Sequence, residues 1–197
     1  MSELRESVGG DDAAPRPATT RQGTRAEFRI FTGEPVVDLL EIMDFPGYPE
    51  EVVNSIPPDE FALMAGGALT EVMFCHDDPD GYSLAKVSLA PEVILPAHTH
   101  NVDCLYYVVA GWLQLGRRRL DPGAGFYVPR GARYGYRAGP EGVAVLEFRH
   151  ATKFDIDVSD TRSSTWSELR QAAHKYNGWP GFAEEAGYRS PSIETNQ

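Results

Sequence analysis

The sequence PAHTHNVDCLYYVVAG spans residues 96–111, and a second stretch, GAGFYVPRGARY, spans residues 123–134. The first stretch places His98 and His100 two residues apart, before a run rich in Val and Tyr that is typical of a β-strand. In a strand, residues i and i+2 point to the same side, so both imidazoles are predicted to project together. Neighbouring imidazoles disfavour each other's protonation and readily bind a borderline metal ion.

Short strands separated by turn residues continue on both sides of these stretches. They are predicted at 69–75, 82–90, 93–100, 103–110, 112–115, 125–129, 134–138 and 143–150. Short strands of this number, with a turn signal about every 8–12 residues, indicate an all-β sandwich or barrel.

The two stretches resemble the two motifs of the cupin superfamily, whose fold is a double-stranded β-helix of the jelly-roll type. The first family motif runs His-x-His, three or four residues, Glu, six residues, Gly, and the second runs Gly-x5-Pro-x-Gly-x2-His. The resemblance covers about residues 87–148, and the spacing of the second motif is kept from Gly123 to Tyr134. It implies an all-β jelly-roll barrel with a few peripheral helices, a small-molecule substrate inside the barrel, and a homodimer.

Two residues depart from the family motifs, because the family Glu falls on Cys104 and the third family His falls on Tyr134. His98 and His100 carry over as metal ligands by residue type. Cys104 is either a further metal ligand or a small buried residue beside the pocket. The resemblance implies one divalent transition metal. Its identity stays open among iron, manganese, nickel, copper and zinc, since a thiolate favours softer ions than the usual His and carboxylate set.

Two residues are predicted to be catalytic through proton transfer. Tyr134 is predicted to donate a proton to the substrate, since a phenol with a pKa of about 10 ionises only with strong charge help. The alternatives for Tyr134 are a phenolate ligand and a core aromatic residue. In the last strand, Glu147 shares one face with Val145 and Arg149. Facing inward, Glu147 would be a metal ligand or a general base; facing outward, it would pair with an arginine.

The wall of the substrate pocket is expected to be apolar with a few well-placed polar groups. The residues predicted to form it are Tyr106, Val108, Gln114, Phe126 and Val128. Gln114 would point into the pocket and form a hydrogen bond with a ligand.

Composition divides the chain into four parts. Residues 1–25 are predicted to form a disordered tail, 26–68 an acidic extension with one short helix at 35–43, 69–151 the barrel, and 152–197 a C-terminal extension with one helix. The prolines from Pro46 to Pro58 are predicted to break regular structure. In the C-terminal helix, Thr165 and Glu168 form a predicted capping box, and Gly178 supplies the left-handed stop.

Charge and composition exclude several classes of function. Asp and Glu number 29 against 18 Lys and Arg, and the net charge of −11 argues against binding to nucleic acid. No apolar run is long enough to cross a membrane, and the first residues lack the pattern of a secretory signal. Two cysteines are too few for a disulfide framework, so we expect a soluble cytoplasmic protein.

The charges along the chain fall into blocks. Acidic residues dominate 34–60, whereas 117–137 contains six arginines and a single acidic residue, Asp121. Complementary patches orient association, so the acidic segment is predicted to lie across the arginine band in the same chain or a neighbouring one. A rival hypothesis places the band at the barrel mouth beside His98, as a site for an anionic substrate. A solvated surface is the third interpretation.

The leading functional hypothesis, which the resemblance implies, is a metal-dependent enzyme that carries out an oxygenase, isomerase or lyase-type step on a small organic molecule. The alternative is a non-catalytic small-molecule binder or sensor without metal. The departures at Cys104 and Tyr134 favour the binder, and the pair His98 and His100 favours the enzyme.

Overall fold

The structure is a computed structural model that describes residues 28–185. Residues 28–30 belong to a separate unit, so the fold is that of residues 31–185. The tail predicted at 1–25 and the end of the C-terminal extension lie outside the described residues. The elements in chain order are α1 (Leu39–Ile42), β1 (Met43–Asp44), α2 (Glu50–Ser55), α3 (Pro58–Ala65), β2 (Ala68–Cys75), β3 (Ser83–Leu89), β4 (Ile94–Thr99), β5 (Cys104–Leu115), β6 (Arg118–Leu120), β7 (Gly125–Val128), β8 (Tyr134–Arg149), β9 (Phe154–Asp155), β10 (Asp157–Val158), α4 (Ser163–Lys175) and α5 (Phe182–Glu185).

An eight-stranded antiparallel sheet dominates the described residues and confirms the predicted all-β class. Strands β10, β4, β8, β3 and β2 follow one another across it, and β5 pairs with β6, β7 and β8. The first half of β5 pairs with the second half of β8, beginning with Cys104 opposite Arg149. The second half of β5 pairs with the first half of β8, ending with Leu115 opposite Tyr136. The two long strands therefore join the two halves of a curled double-stranded β-helix.

The strands β5 and β8 are each continuous where the sequence predicted two strands. Both bend where they pass each other, at Gly111 and Gly142, whose φ angles are 63° and 80°. A Cβ atom on Gly111 would lie 2.1 Å from the carbonyl oxygen of Gly142, so only glycine fits there. The predicted breaks were wrong because these glycines bend a paired strand and do not end it.

Three short helices precede the barrel, where the sequence predicted one at 35–43. α1 begins after Asp38, whose carboxylate accepts a hydrogen bond of 2.9 Å from the amide of Leu40. α2 and α3 begin directly after Pro49 and Pro57, and Pro58 lies in the first turn of α3. The prolines interrupt regular structure at 45–49 and 56–57, as predicted, but helices begin directly after them, because the first turn of a helix needs no amide hydrogen from proline.

The C-terminal helix α4 begins at Ser163. The predicted capping box would require the helix to begin just after Thr165. Thr165 is buried inside the first turn, and Glu168 binds an arginine of β8. The carboxylate of Asp160 fixes the start of the helix instead, accepting a hydrogen bond of 3.1 Å from the amide of Arg162. The capping box was therefore a wrong prediction.

The buried face of α4 covers the barrel core, as the helical spacing predicted. It consists of Trp166, Leu169, Ala172 and Ala173. Gly178 follows the helix with φ of 71°, which confirms the left-handed stop. A second short helix, α5, follows in the extension where the sequence predicted one helix only. Among the described residues, no helix is both long and apolar enough to cross a membrane.

Candidate functional site

A cavity of about 60 Å³ lies inside the barrel. This is several times the roughly 10–15 Å³ that one water molecule requires. Its walls combine apolar side chains with a group of polar ones. The lining residues are Leu39, Met43, Thr70, Val87, Leu95, His98, His100, Tyr106, Tyr134, Tyr136, Glu147, Arg149, Phe154 and Ile156.

The two histidines enter this cavity from the end of β4. His98 lies within β4 and His100 follows its last residue, and both side chains are buried. Their ring centroids are 5.0 Å apart, and the ring of His98 lies 4.4 Å from that of Tyr134. The structure thus brings together the two histidines that the alternation of side chains placed on one side and Tyr134, which falls at the third His position of the second motif.

Hydrogen bonds to backbone carbonyls fix the tautomer of both imidazoles. The Nδ1 atom of His98 lies 2.8 Å from the carbonyl oxygen of Pro96, and that of His100 contacts the carbonyl oxygen of Asp155. A carbonyl oxygen only accepts, so Nδ1 carries the hydrogen in each ring. Each Nε2 atom is left with a lone pair, which is the state that binds a metal ion.

Burial keeps these imidazoles neutral. It lowers the pKa of His98 from 6.5 to about 4, and it lowers the pKa of His100 as well. The desolvation of the charged ring outweighs the hydrogen bonds from Nδ1, which act in the opposite direction. At neutral pH, both rings are therefore ready to act as acceptors.

A chain of polar contacts leads from His100 to a carboxylate. The Nε2 atom of His100 lies 3.1 Å from the hydroxyl oxygen of Tyr134, which contacts the hydroxyl of Tyr106. The Tyr106 hydroxyl in turn donates to Oε1 of Glu147. Neither Nε2 of His100 nor the carboxylate of Glu147 supplies a hydrogen, so the hydroxyls of Tyr134 and Tyr106 provide two hydrogens for three contacts. One additional proton, or a cation bound to one of these groups, would satisfy the remaining contact.

Glu147 faces inward, and it also pairs with an arginine. Its Oε1 atom lies 2.5 Å from a terminal nitrogen of Arg149, and both side chains are almost fully buried. Glu147 therefore has the inward orientation, not the outward one. The arginine that pairs with it, Arg149, lies on the same inner face of β8. Sequence reasoning missed Arg149 as a site residue, although it shares the period-two face of Glu147.

Cys104 lies on the same wall, opposite Arg149 in the β5–β8 ladder. Ligand atoms of His100, Cys104 and Glu147 all lie within 4.8 Å of one another. Burial raises the pKa of the Cys104 thiol to about 11, so the free thiol is protonated at neutral pH. These three buried side chains form a cluster that could hold a metal ion, with His98 next to it.

The remaining pocket predictions divide into three groups. Tyr106 lines the cavity, and Phe126 stacks behind it with a centroid distance of 4.5 Å. Val108 and Val128 are buried in the core outside the cavity lining. Gln114 does not reach the cavity, since its amide donates to the carbonyl of Gly116 on another surface. The prediction of an inward Gln114 was wrong.

A small two-stranded sheet forms part of the cavity wall. β1 pairs in parallel with β9, Met43 opposite Phe154, and both of these side chains line the cavity. Two reciprocal hydrogen bonds between Asn101 and Asp155, of 2.7 and 3.1 Å, attach β9 to the end of β4. The carbonyl of Asp155, which fixes the tautomer of His100, therefore belongs to β9 of this small sheet.

The arginine band does not meet the acidic segment within the described part of the chain. Arg119 pairs with Asp121, and Arg133 lies 3.9 Å from Asp160. Glu60, at the end of the acidic segment, pairs with α4 instead. The same-chain contact was a wrong prediction, and contact with a neighbouring chain stays a prediction. The rival placement beside His98 was also wrong, since the cavity lining contains no residue of 117–137 other than Tyr134 and Tyr136.

The topology decides the fold family. The strand β4, which carries His98, is followed by two long strands that pair along both halves of a curled sheet. This is the double-stranded β-helix that the two motifs predicted. The chain has a cupin fold. No family model matches the sequence, and the search of curated proteins found no match.

Solved structures with the cupin fold match this chain at low identity. The polyketide cyclase RemF from Streptomyces resistomycificus is 18% identical, with a TM-score of 0.44, over 55% of this chain and 82% of RemF. An RmlC-like cupin from Shewanella frigidimarina is 19% identical, with a TM-score of 0.38, over 43% of this chain and 76% of its own. Oxalate oxidase in complex with glycolate is 18% identical, with a TM-score of 0.40, over 45% of this chain and 54% of its own. The cupins that match thus include enzymes, and the likeness concerns the fold alone.

Proposed function

We propose that this cupin is a metal-dependent enzyme that acts on a small organic molecule in the barrel, by an oxygenase, isomerase or lyase-type step. The observation that carries the proposal is the buried cluster of His100, Cys104 and Glu147, whose ligand atoms lie within 4.8 Å of one another beside His98. Charged and polar groups are costly to bury, so such a cluster, of which His100 and Glu147 line the cavity, indicates a functional site.

The donor set fits a divalent transition metal. Both imidazoles are neutral and present a lone pair on Nε2, because each Nδ1 hydrogen is bound to a carbonyl. Glu147 adds a carboxylate, and Cys104 would add a thiolate when a bound metal displaced its proton to solvent. A cation bound to Nε2 of His100 would also satisfy the lone pair for which the two hydroxyls do not supply a hydrogen. When bound, the metal would polarise an oxygen atom of the substrate.

The residues of the chain supply a hydrogen-bond donor and apolar surface. Burial raises the pKa of Tyr134 far above its usual value, so its hydroxyl keeps its proton and can donate a hydrogen bond to an oxygen of the substrate. Its contact with Tyr106, which donates to Glu147, holds this hydroxyl in place. Met43 and Phe154, from β1 and β9, add apolar surface to the cavity wall beside these groups, which disfavours water there.

The test is the metal content of protein purified without a histidine tag. We expect near-stoichiometric transition metal in the wild type and none in the double variant His98→Ala/His100→Ala. His174→Ala is the matched control, because His174 is an exposed histidine that pairs with Glu60 on the outside of the barrel. Metal-free wild-type protein that takes up no iron, manganese, nickel, copper or zinc would contradict the proposal.

One observation favours the second candidate, a metal-free small-molecule binder or sensor. Arg149 already neutralises Glu147 at 2.5 Å, and the thiol of Cys104 is protonated. In this alternative, the cavity recognises its ligand through hydrogen bonds alone. Wild-type protein that binds a ligand equally well before and after dialysis against a chelator would support it.

A further inference from the structure

Two buried donors in the cavity wall have no partner. The Nε atom of Arg149 and the hydroxyl of Tyr136 are the buried side-chain polar atoms in 28–185 that lack a hydrogen-bond partner. Arg149 is 4% exposed and Tyr136 is 3% exposed, and both line the cavity inside the barrel. Buried polar groups of native proteins are nearly always paired, so an unpaired one requires an explanation.

Both groups can donate a hydrogen bond, so both require an acceptor as partner. A guanidinium nitrogen donates and has no acceptor capacity, and a tyrosine hydroxyl with no partner is free to donate. Both side chains line the same cavity inside the barrel. An acceptor oxygen placed in the cavity would satisfy donors that nothing else in the described structure satisfies.

The charge of the site favours an anionic ligand as the molecule that carries this acceptor oxygen. The carboxylate of Glu147 and the guanidinium of Arg149 pair at 2.5 Å and balance each other. A divalent metal in the proposed site would therefore leave the cavity with excess positive charge. A carboxylate compensates this charge, and its two oxygens suit a guanidinium and a hydroxyl together.

The other residues that line the cavity indicate that the rest of the ligand is apolar. Leu39, Met43, Leu95 and Ile156 form its apolar wall. Phe154 lies there too, with its ring centroid 3.7 Å from the guanidinium carbon of Arg149. An apolar group next to these side chains removes hydrocarbon surface from water, whereas a second charged group would lack a partner.

We propose that the substrate is a small monocarboxylic acid with an apolar hydrocarbon part, and that Arg149 and Tyr136 bind its carboxylate. This assignment rests on the proposed function, because the metal provides the excess positive charge. Arg149 and Tyr136 are binding residues in this account and have no part in proton transfer.

The experiment compares acids with amides of the same shape. Titration calorimetry on the full-length, metal-loaded protein measures the dissociation constants of acetate, propionate and isobutyrate and of the corresponding amides. We expect at least one acid to bind, and to bind at least tenfold more tightly than its amide. Failure of all three acids to bind, or equal affinity for acid and amide, would overturn the assignment.

The variant Tyr136→Phe separates this site from binding to the metal alone. It removes only the unpaired hydroxyl, so the barrel should fold, and acid affinity should fall by about tenfold with the metal content unchanged. Tyr107→Phe is the matched control, since Tyr107 is 45% exposed on the outside of β5. Unchanged acid affinity in Tyr136→Phe would show that the metal alone binds the acid and would overturn the role of Tyr136.

The metal content of the same samples distinguishes the two proposals. Protein that prefers acids over amides but takes up no metal contradicts the proposed function and leaves the carboxylate site standing. Protein that holds its metal but shows no preference for acids contradicts the carboxylate site alone.

Discussion

The two faces of the β5–β8 pair carry opposite kinds of side chains. On the inner face, Tyr106, Glu147 and Arg149 are between 2% and 4% exposed. On the outer face, the neighbouring residues Leu105 and Phe148 are 51% and 41% exposed. These side chains alternate along the same strands, so the ladder buries one charged pair beside apolar residues such as Val108 and Val145 and leaves two large apolar groups exposed.

This arrangement shows that hydrophobic burial alone does not explain the barrel. A buried ion pair costs desolvation free energy that apolar residues of similar volume would avoid, so it is weak evidence for stability. An exposed apolar patch on a sheet is typical of a surface that meets a partner. We therefore propose that the inner face serves chemistry and that the outer face serves association.

The largest expected effect comes from breaking the inner pair. Glu147→Gln removes the carboxylate and leaves Arg149 buried without its partner, so the free energy of unfolding should fall by about 3–5 kcal/mol. Urea unfolding followed by circular dichroism measures the change. The matched control is Arg119→Gln, which breaks the exposed pair with Asp121 and should cost less than ~1 kcal/mol. Equal losses in the two variants would contradict the account of the inner face.

Acid should destabilise the inner face next. Metal-free unfolded protein takes up a proton at His98 below pH 6.5, whereas the folded protein does so only below about pH 4. Stability is therefore complete above pH 6.5 and is lost as the pH falls toward 4, by on the order of 3 kcal/mol.

Urea unfolding of chelator-treated protein at pH 7 and pH 4.5 checks this expectation. The variant His98→Gln should show a smaller pH dependence than the wild type, and His174→Gln should not differ from it. A wild-type stability that rises as the pH falls from 6.5 to 4 would show that His98 is protonated in the folded state.

The strand alternation predicted one part of the site and missed another. Period-two spacing was enough to bring His98, His100 and Tyr134 to one cavity, because β4 and the start of β8 are regular there. It also placed Arg149 on the face of Glu147. The sequence does not show whether a charged residue at the end of a strand is exposed to solvent or buried against a partner of opposite charge.

Gln114 shows why the same reasoning failed further along β5. The register of β5 against β8 shifts between Val108 and Ala110 and again between Gly111 and Leu113. Each irregularity can exchange the inner and outer faces, and Leu113 is fully buried while Gln114 is not. Register shifts depend on the partner strand, so counting residues along a single strand could not predict them.

The outer face should give the smallest of the three effects. The homodimer expected from the sequence stays a prediction, and the apolar residues Leu105 and Phe148 are where we expect it to form. Light scattering over a concentration series should give twice the chain mass of 21.7 kDa for the wild type. Phe148→Asp should raise the dissociation constant at least tenfold, or about 1.4 kcal/mol.

Val53→Asp is the matched control for the outer face, because Val53 is 49% exposed on α2, away from the sheet. It should leave the dimer unchanged. A wild-type protein that stays monomeric at all concentrations, or a dimer that Phe148→Asp does not weaken, would remove the association role of this face.

The most direct test of the central claim, that the inner face binds a metal, is anomalous diffraction from crystals grown with zinc or cobalt. We predict one strong anomalous peak inside the barrel, within about 2.0–2.3 Å of Nε2 of His98, Nε2 of His100 and a carboxylate oxygen of Glu147. A barrel without such a peak, in crystals that show the metal bound at surface sites, would contradict the claim.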